Sequence, residues 1–343
     1  MLRIDADAHV LETEETWEFM DGADRKFRPE VVGSTNGSGS GDEYWLVDGT
    51  LRLKTRNVGK DTPLESRELR DVAVRLKHMD ELKVDIQVIF PTIFIIPLTP
   101  RPEIELALCR SYNRWMGECW KQSDNRLRWV AVVPLLSPDQ VYEEARLAKE
   151  NGAVGIYMRG SEGERLLNDP FFYPVYDAAG RLDVPVCIHA SNGSSVLFDY
   201  YKYEPVAFSK FKLVVVGAFH TIVAGGIPER FPQLKMGFLE VSAQWLPYAL
   251  TDLHKRPYIK EQGFNRNELL ARNRIWVGCE TTDDLPYVVE NAGEDHLVVG
   301  TDYGHADSAT ELLAIDGVAN DPRLSPEVKA KICGENARAL YNL

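Results

Sequence analysis

The chain repeats one unit eight times: a short apolar run, a turn, and a stretch with apolar residues at helical spacing. The runs are Leu2–His9, Val84–Phe90, Trp129–Leu135, Ala153–Met158, Val184–Ala190, Leu234–Val241, Arg274–Cys279 and His296–Thr301. Near-continuous apolar runs are expected of parallel strands, which are covered on both faces and leave no side for water. Between the runs, Ser66–Leu82 places Leu69, Val72, Ala73, Leu76 and Met79 on one helical stripe. Arg101–Lys121 does the same with Leu106, Cys109, Tyr112 and Met116. Three further helices should open at Ser137-Pro138, Asp169-Pro170 and Ser325-Pro326, each a capping residue followed by a proline that needs no N–H partner. Gln140 completes a capping box with Ser137.

Eight βα units in 343 residues predict one α/β domain over residues 1–343, a closed (β/α)₈ TIM barrel. The rival, a doubly wound open sheet, calls for a glycine-rich phosphate turn directly after the first strand, and none is present. The segment Gly33–Gly41 follows no clear strand and lacks a Gly-Lys-Ser/Thr ending. It reads as a surface loop within an insertion, residues 22–63, placed to shape the mouth of an active site.

The net charge of −13 excludes a phosphate-backbone partner, because nucleic-acid binding needs clustered cations. No apolar run approaches the roughly 20 residues that span a bilayer, and the acidic start is no secretory signal, so neither membrane nor export is expected and the cytoplasm is the expected location. The five cysteines, at 109, 119, 187, 279 and 333, form no CxxC pair and suggest neither a disulfide framework nor a zinc knuckle.

Catalytic groups on a barrel sit at the C-terminal strand ends. The first run ends Asp5-Ala6-Asp7-Ala8-His9, where alternation puts Asp5, Asp7 and His9 on one face. A cation at the mouth would satisfy the outer two; a strand end fraying into solvent is the bland alternative. The fifth run ends in His189, which alone would more often be a hydrogen-bonded core residue, with Cys187 below it as a filler. The eighth leads to Asp302. Together Asp7, His9, His189 and Asp302 supply imidazole and carboxylate ligands suited to one divalent ion, Zn²⁺ first, with Mn²⁺ or Fe²⁺ as alternatives.

Several segments carry a resemblance: IDADAHVLE, MDELKVDIQVIFPT, LCRSYNRWM, DPFFYPVYDAAGRLDVPVCIHA, IPERFPQLKMGFLE, VVGTDYGHAD and KICGENARALYNL. On these, nearly end to end, the chain resembles the amidohydrolase-related branch that includes aminocarboxymuconate-semialdehyde decarboxylase and non-oxidative aromatic-acid decarboxylases. The resemblance implies one divalent metal, an acid-x-His pair at Asp7 and His9, further ligands at His189 and Asp302, a proton-handling role for Asp302, and a homodimer. One departure matters. Well-known decarboxylases of this branch end the sixth strand with histidine and glycine, whereas the matching place here is Glu240. A carboxylate donates a proton only if burial raises its pKa. His220, some twenty residues earlier, either replaces the missing imidazole or simply packs.

Three readings follow. The first is metal-assisted, non-oxidative decarboxylation of a hydroxylated aromatic or unsaturated acid, with Asp302, His220 or Glu240 handling the proton and Arg159 either pairing with a carboxylate or standing as a solvated loop arginine; Arg52 and Arg56 are weaker candidates for that contact. The second is hydrolysis of an amide, ester or lactone by a metal-activated water, with Asp302 as base. Trp245, Tyr303 and the Phe94 loop would wall the site in either case, unless they are ordinary packing. The third is a non-catalytic barrel that only binds a ligand. His305 and Asp307 are placed to orient ligands, and Glu280, Asp283 and Asp284 are substrate contacts or a solvated loop. His78, His254 and His296 receive no role. The absence of a GxSxG elbow or a cysteine beside a base disfavours covalent catalysis.

Overall fold

A computed structural model describes residues 1–33, 43–54, 57–261 and 266–343. Eight parallel strands stand in the order of the chain: β1 (Ile4–Val10), β2 (Ile86–Pro91), β3 (Leu127–Ala131), β4 (Ala153–Arg159), β5 (Val186–His189), β6 (Met236–Leu239), β7 (Ile275–Cys279) and β8 (Leu297–Val299). Each of the eight apolar runs overlaps one of them. Every residue of β1, β4, β5, β6, β7 and β8 is buried, as the two-sided covering requires.

The barrel is nearly closed by a seam between β1 and the stretch after β8. The Thr301 and Asp302 amides donate to the Asp7 carbonyl at 3.1 and 2.9 Å, and the His9 amide donates to the Tyr303 carbonyl at 2.8 Å. Asp5, wholly buried, locks the seam from below. Its carboxylate accepts from the Thr301 amide at 2.9 Å, the Thr301 hydroxyl at 2.6 Å and the Gln87 amide at 2.9 Å. Gly300 allows the approach, because a Cβ there would lie 2.4 Å from the Asp7 Cβ. Against β2, β1 carries an irregularity between Asp5 and Ala8, a bulge of the kind that re-aims side chains beside active sites.

The predicted helix over 66–82 is broken in two, Leu64–Arg67 and Val72–Glu81. Leu69 takes a left-handed φ of 49° and the Asp71 side chain caps the second piece on the Ala73 amide. The helix expected from Arg101 runs Pro102–Lys121. Ser325 and Asp169 cap their helices, but Ser137 makes no side-chain cap bond and the Gln140 side chain turns to Asp139, so that capping box does not form.

The insertion is more ordered than a loop. Glu30–Gly33, Glu43–Val47 and Thr50–Leu53 form an antiparallel sheet, with Trp45 and Val47 buried against the barrel. Most of Gly33–Gly41, and Arg56, lie outside the described residues. All five cysteines are free and buried, and among the described residues no helix is long and apolar enough to cross a membrane.

Candidate metal centre

Four side chains from the strand ends of β1 and β5 and the turn after β8 converge. The His9 Nδ1 lies 3.2 Å from the Pro91 carbonyl. A carbonyl only accepts, so Nδ1 carries the hydrogen and Nε2 presents its lone pair inward. That Nε2 is 3.0 Å from the His189 Nε2. The Asp7 Oδ1 lies 3.3 Å from the His189 Nε2 and 3.6 Å from the His9 Nε2. The Asp302 Oδ1 lies 3.5 Å from the His9 Nε2. All four residues are buried.

The Asp7 Oδ1 is buried without a hydrogen-bond partner, and the buried Asp302 Oδ1 has the His305 Nδ1 at 2.7 Å. Buried carboxylates gathered this closely are costly unless positive charge meets them. Two imidazole nitrogens each about 2.0–2.1 Å from one ion at a right angle would stand about 3 Å apart, which is the spacing of this pair. Asp7, His9 and His189 present ligand atoms within 4.8 Å of one another and could hold a divalent ion, while Asp302 falls with His9 and His305 in an adjoining group that shares His9. Asp302 reaches inward from a left-handed backbone, φ 51°, and Glu240 from φ 58°. Such backbone conformations cost of order 1–3 kcal/mol in residues other than glycine and cluster where function fixes a side chain.

Around this set the acids and imidazoles are interlocked. Asp302 accepts the Thr310 hydroxyl on Oδ2 at 2.6 Å and faces the His305 Nδ1 with Oδ1 at 2.7 Å. The His305 ring stacks on His9 with centroids 3.8 Å apart, and its Nε2 meets the Thr92 hydroxyl at 2.9 Å. Burial works against a charge on His305, but Asp302 beside it outweighs that and holds it at about 8. Burial pushes Asp302 up to about 6 and Glu240 up to about 8. Burial and the neighbouring His305 and His189 hold His9 well below the usual histidine range, a neutral ring ready to ligate. Glu240 lies 2.8 Å from the His189 Nε2. Asp307 is tied by Asn57 of the insertion at 2.7 Å. Gly59 lets the insertion press on this corner, since a Cβ there would lie 2.1 Å from the His305 carbonyl oxygen.

Other expected site residues have partners of their own. The His220 Nε2 meets Asp252 at 2.8 Å between outer helices, so the third imidazole at the cluster is His305. Arg159 ends β4 but is buried against Glu162, with NH2 at 2.6 Å from its carboxylate, and donates to the Phe94 carbonyl at 2.7 Å. It also lines a cavity of about 710 Å³ and stands in register with His189 on the neighbouring strand. The Tyr303 side chain points away from the mouth: its hydroxyl meets Ser66 and His78, each at 2.6 Å, under the Arg75 guanidinium. The Trp245 indole donates to the Val241 and Ser242 carbonyls and its ring packs on Phe219. Phe94 is core, packed on Trp17 and Tyr112. Arg52 donates to the Pro97 carbonyl. Asp283 clips its loop by accepting the Ala243 and Glu280 amides, both at 2.9 Å.

Thr92 and Thr310 escaped the sequence reading; threonines in loops carry no signal of their own. Glu12 escaped it too. It is buried and accepts the Thr92 and Ile93 amides at 3.0 and 2.9 Å, holding the β2 loop under His305. A cavity of about 20 Å³ opens beside the cluster, lined by Asp7, Glu240, Ser242, Glu280 and Asp302 among others.

Comparison with known proteins agrees with this fold. An amidohydrolase family model matches residues 4–343. A 2-amino-3-carboxymuconate-6-semialdehyde decarboxylase of Dictyostelium discoideum is 23% identical over 289 residues, covering 80% of this chain and 77% of that one. An amidohydrolase structure from Mycobacterium avium subsp. paratuberculosis superposes with a TM-score of 0.80 at 20% identity, covering 100% of this chain and 98% of that one. A 5-carboxyvanillate decarboxylase of Novosphingobium aromaticivorans, solved with manganese and a nitrobenzoic acid, gives 0.73 at 19% identity over 100% and 96% of the two chains. The chain belongs to the amidohydrolase family.

Proposed function

We propose that the protein is a metal-dependent, non-oxidative decarboxylase of a hydroxylated aromatic or unsaturated carboxylic acid. The observation that carries this is a buried group of possible ligands, Asp7, His9 and His189, joined through His9 to a second group with Asp302 and His305. The named decarboxylases among its relatives support the choice of reaction. A divalent ion held there, zinc first with manganese or iron as competitors, would orient the acid and offset the charge that develops as the carboxylate leaves.

The chain's own residues handle the proton. When the bond to the carboxylate breaks, its electron pair stays on the carbon and must be met by a proton as carbon dioxide departs. Asp302 is the group with an oxygen aimed into the cluster, and Thr310 and His305 hold it there. His305, fixed by Thr92 and stacked on His9, is placed to resupply Asp302. Glu240 faces the same space across His189 and takes the role expected of the absent sixth-strand imidazole, holding a proton through burial.

The small cavity favours a second reading. About 20 Å³ beside Asp302 and Glu240 accommodates one water, as hydrolysis of an amide, ester or lactone would use. Metal analysis of the purified protein, followed by a screen of hydroxybenzoates against amides and lactones, decides between them. Release of carbon dioxide without solvent oxygen in the product supports decarboxylation; incorporation of labelled solvent oxygen overturns it.

We also propose a cytosolic homodimer. Val196, Tyr200, Tyr203, Val206, Phe208 and Leu213 are all exposed on one short segment, Tyr203 at 88%. So concentrated an apolar surface is the usual mark of an interface. A monomeric mass in light scattering would refute this.

A further inference from the structure

The cavity beside the cluster is bordered by four acids, Asp7, Glu240, Glu280 and Asp302, with Asp307 close by. An acid substrate approaching this rim meets carboxylates. Among the described residues, one lysine or arginine forms an ion pair with any of the four lining acids. It is Lys212, whose Nζ lies 3.1 Å from the Glu280 Oε1. Both side chains are largely covered, 18% and 19% exposed.

Lys212 is carried by an unusual piece of backbone. It ends the π-helical turn Phe208–Lys212, which leads into the helix Leu213–Ala224. Such turns are rare and concentrate at functional sites. The helix start is pinned over the end of β4, because Val215 packs so closely on Gly160 that a Cβ there would lie 2.8 Å from the Val215 Cγ2. The lysine therefore has a fixed base and a flexible four-carbon arm.

We propose that Lys212 is the contact for the substrate's carboxylate, held by Glu280 until the acid displaces it. The inference rests on the decarboxylase reading in taking the ligand to be an aromatic acid. Exchange of one carboxylate for another keeps the ammonium paired throughout, so it is never left buried and alone. A single positive group also selects anionic ligands from neutral ones at an otherwise negative rim.

The test uses the full chain loaded with metal. Its probes are 2,6-dihydroxybenzoate and 4-hydroxy-3-methoxy-5-nitrobenzoate, with resorcinol as the ring lacking a carboxylate. Lys212→Met should weaken both acids by about ten- to a hundredfold in calorimetry, as expected for loss of a charge-assisted bond, while resorcinol binding and metal content stay as in the wild type. Lys212→Arg should recover most of the loss. Glu280→Gln should tighten both acids, since Lys212 then has no rival partner. Equal affinity in wild type and Lys212→Met overturns the proposal. So does a Glu280→Gln variant that weakens binding as much as Lys212→Met, the mark of a merely structural pair. Acids that bind in a lysine-dependent way without releasing carbon dioxide overturn the decarboxylase reading alone; a wild-type protein that binds none of the acids overturns both.

Discussion

At the scale of single residues, partners decide roles. His189 packs on Phe90 and His9 and faces the Asp7 and Glu240 carboxylates. His189→Ala should therefore lose metal and activity while the barrel keeps its circular dichroism; full activity without bound metal would contradict the site. His305 is expected to act on the proton rather than the ion, so His305→Gln should retain metal and lose roughly 10²–10⁴ in kcat. Arg159 belongs to the fold, through Glu162 and the Phe94 carbonyl. Arg159→Met should cost roughly 3–5 kcal/mol in urea unfolding, because it strands a buried carboxylate. Asp7, His9, His189 and Asp302 could be singled out in the sequence because strand ends are countable and their chemistry is distinctive. The partners of Arg159, Tyr303, Trp245 and His220 were not legible for one reason: residue type announces what a side chain can do, but its partner is known only once distant segments meet.

At the scale of elements, the eight strands were legible because burial on both faces writes itself as an unbroken apolar run. The insertion's sheet was not, since Glu30–Gly33 and Thr50–Leu53 keep no buried position and have no periodicity to betray them. The break at Leu69 was hidden by an apolar stripe that continues across it. Gly59 joins insertion to barrel at the His305 carbonyl. Gly59→Ala should push that corner outward, lowering kcat with the metal still bound; unchanged kinetics would mean that the insertion does not set the position of His305.

At the scale of the whole molecule, buried acids tie stability to pH. Burial raises Glu105, which accepts the Leu136 amide, to about 7 from an ordinary 4.5. Between those values the folded chain holds this proton more firmly than the unfolded one does, so stability falls as pH rises through 4.5 to 7, and the loss is complete above 7. Glutamine can still accept the amide, so Glu105→Gln should gain about 1–3 kcal/mol at pH 8 and nothing below pH 4.5, as thermal melts at the two pH values would register. The seam of the barrel has a consequence of another kind. Two of the proposed ligands stand on β1 and another follows β8, so the centre joins the first strand made to the last. An ion seated there acts as a rivet across the one join that synthesis leaves until the end. A ribosome-bound fragment ending before Asp302 would lack the grip that the finished chain has, and metal capture would report that the circle of strands had been drawn shut.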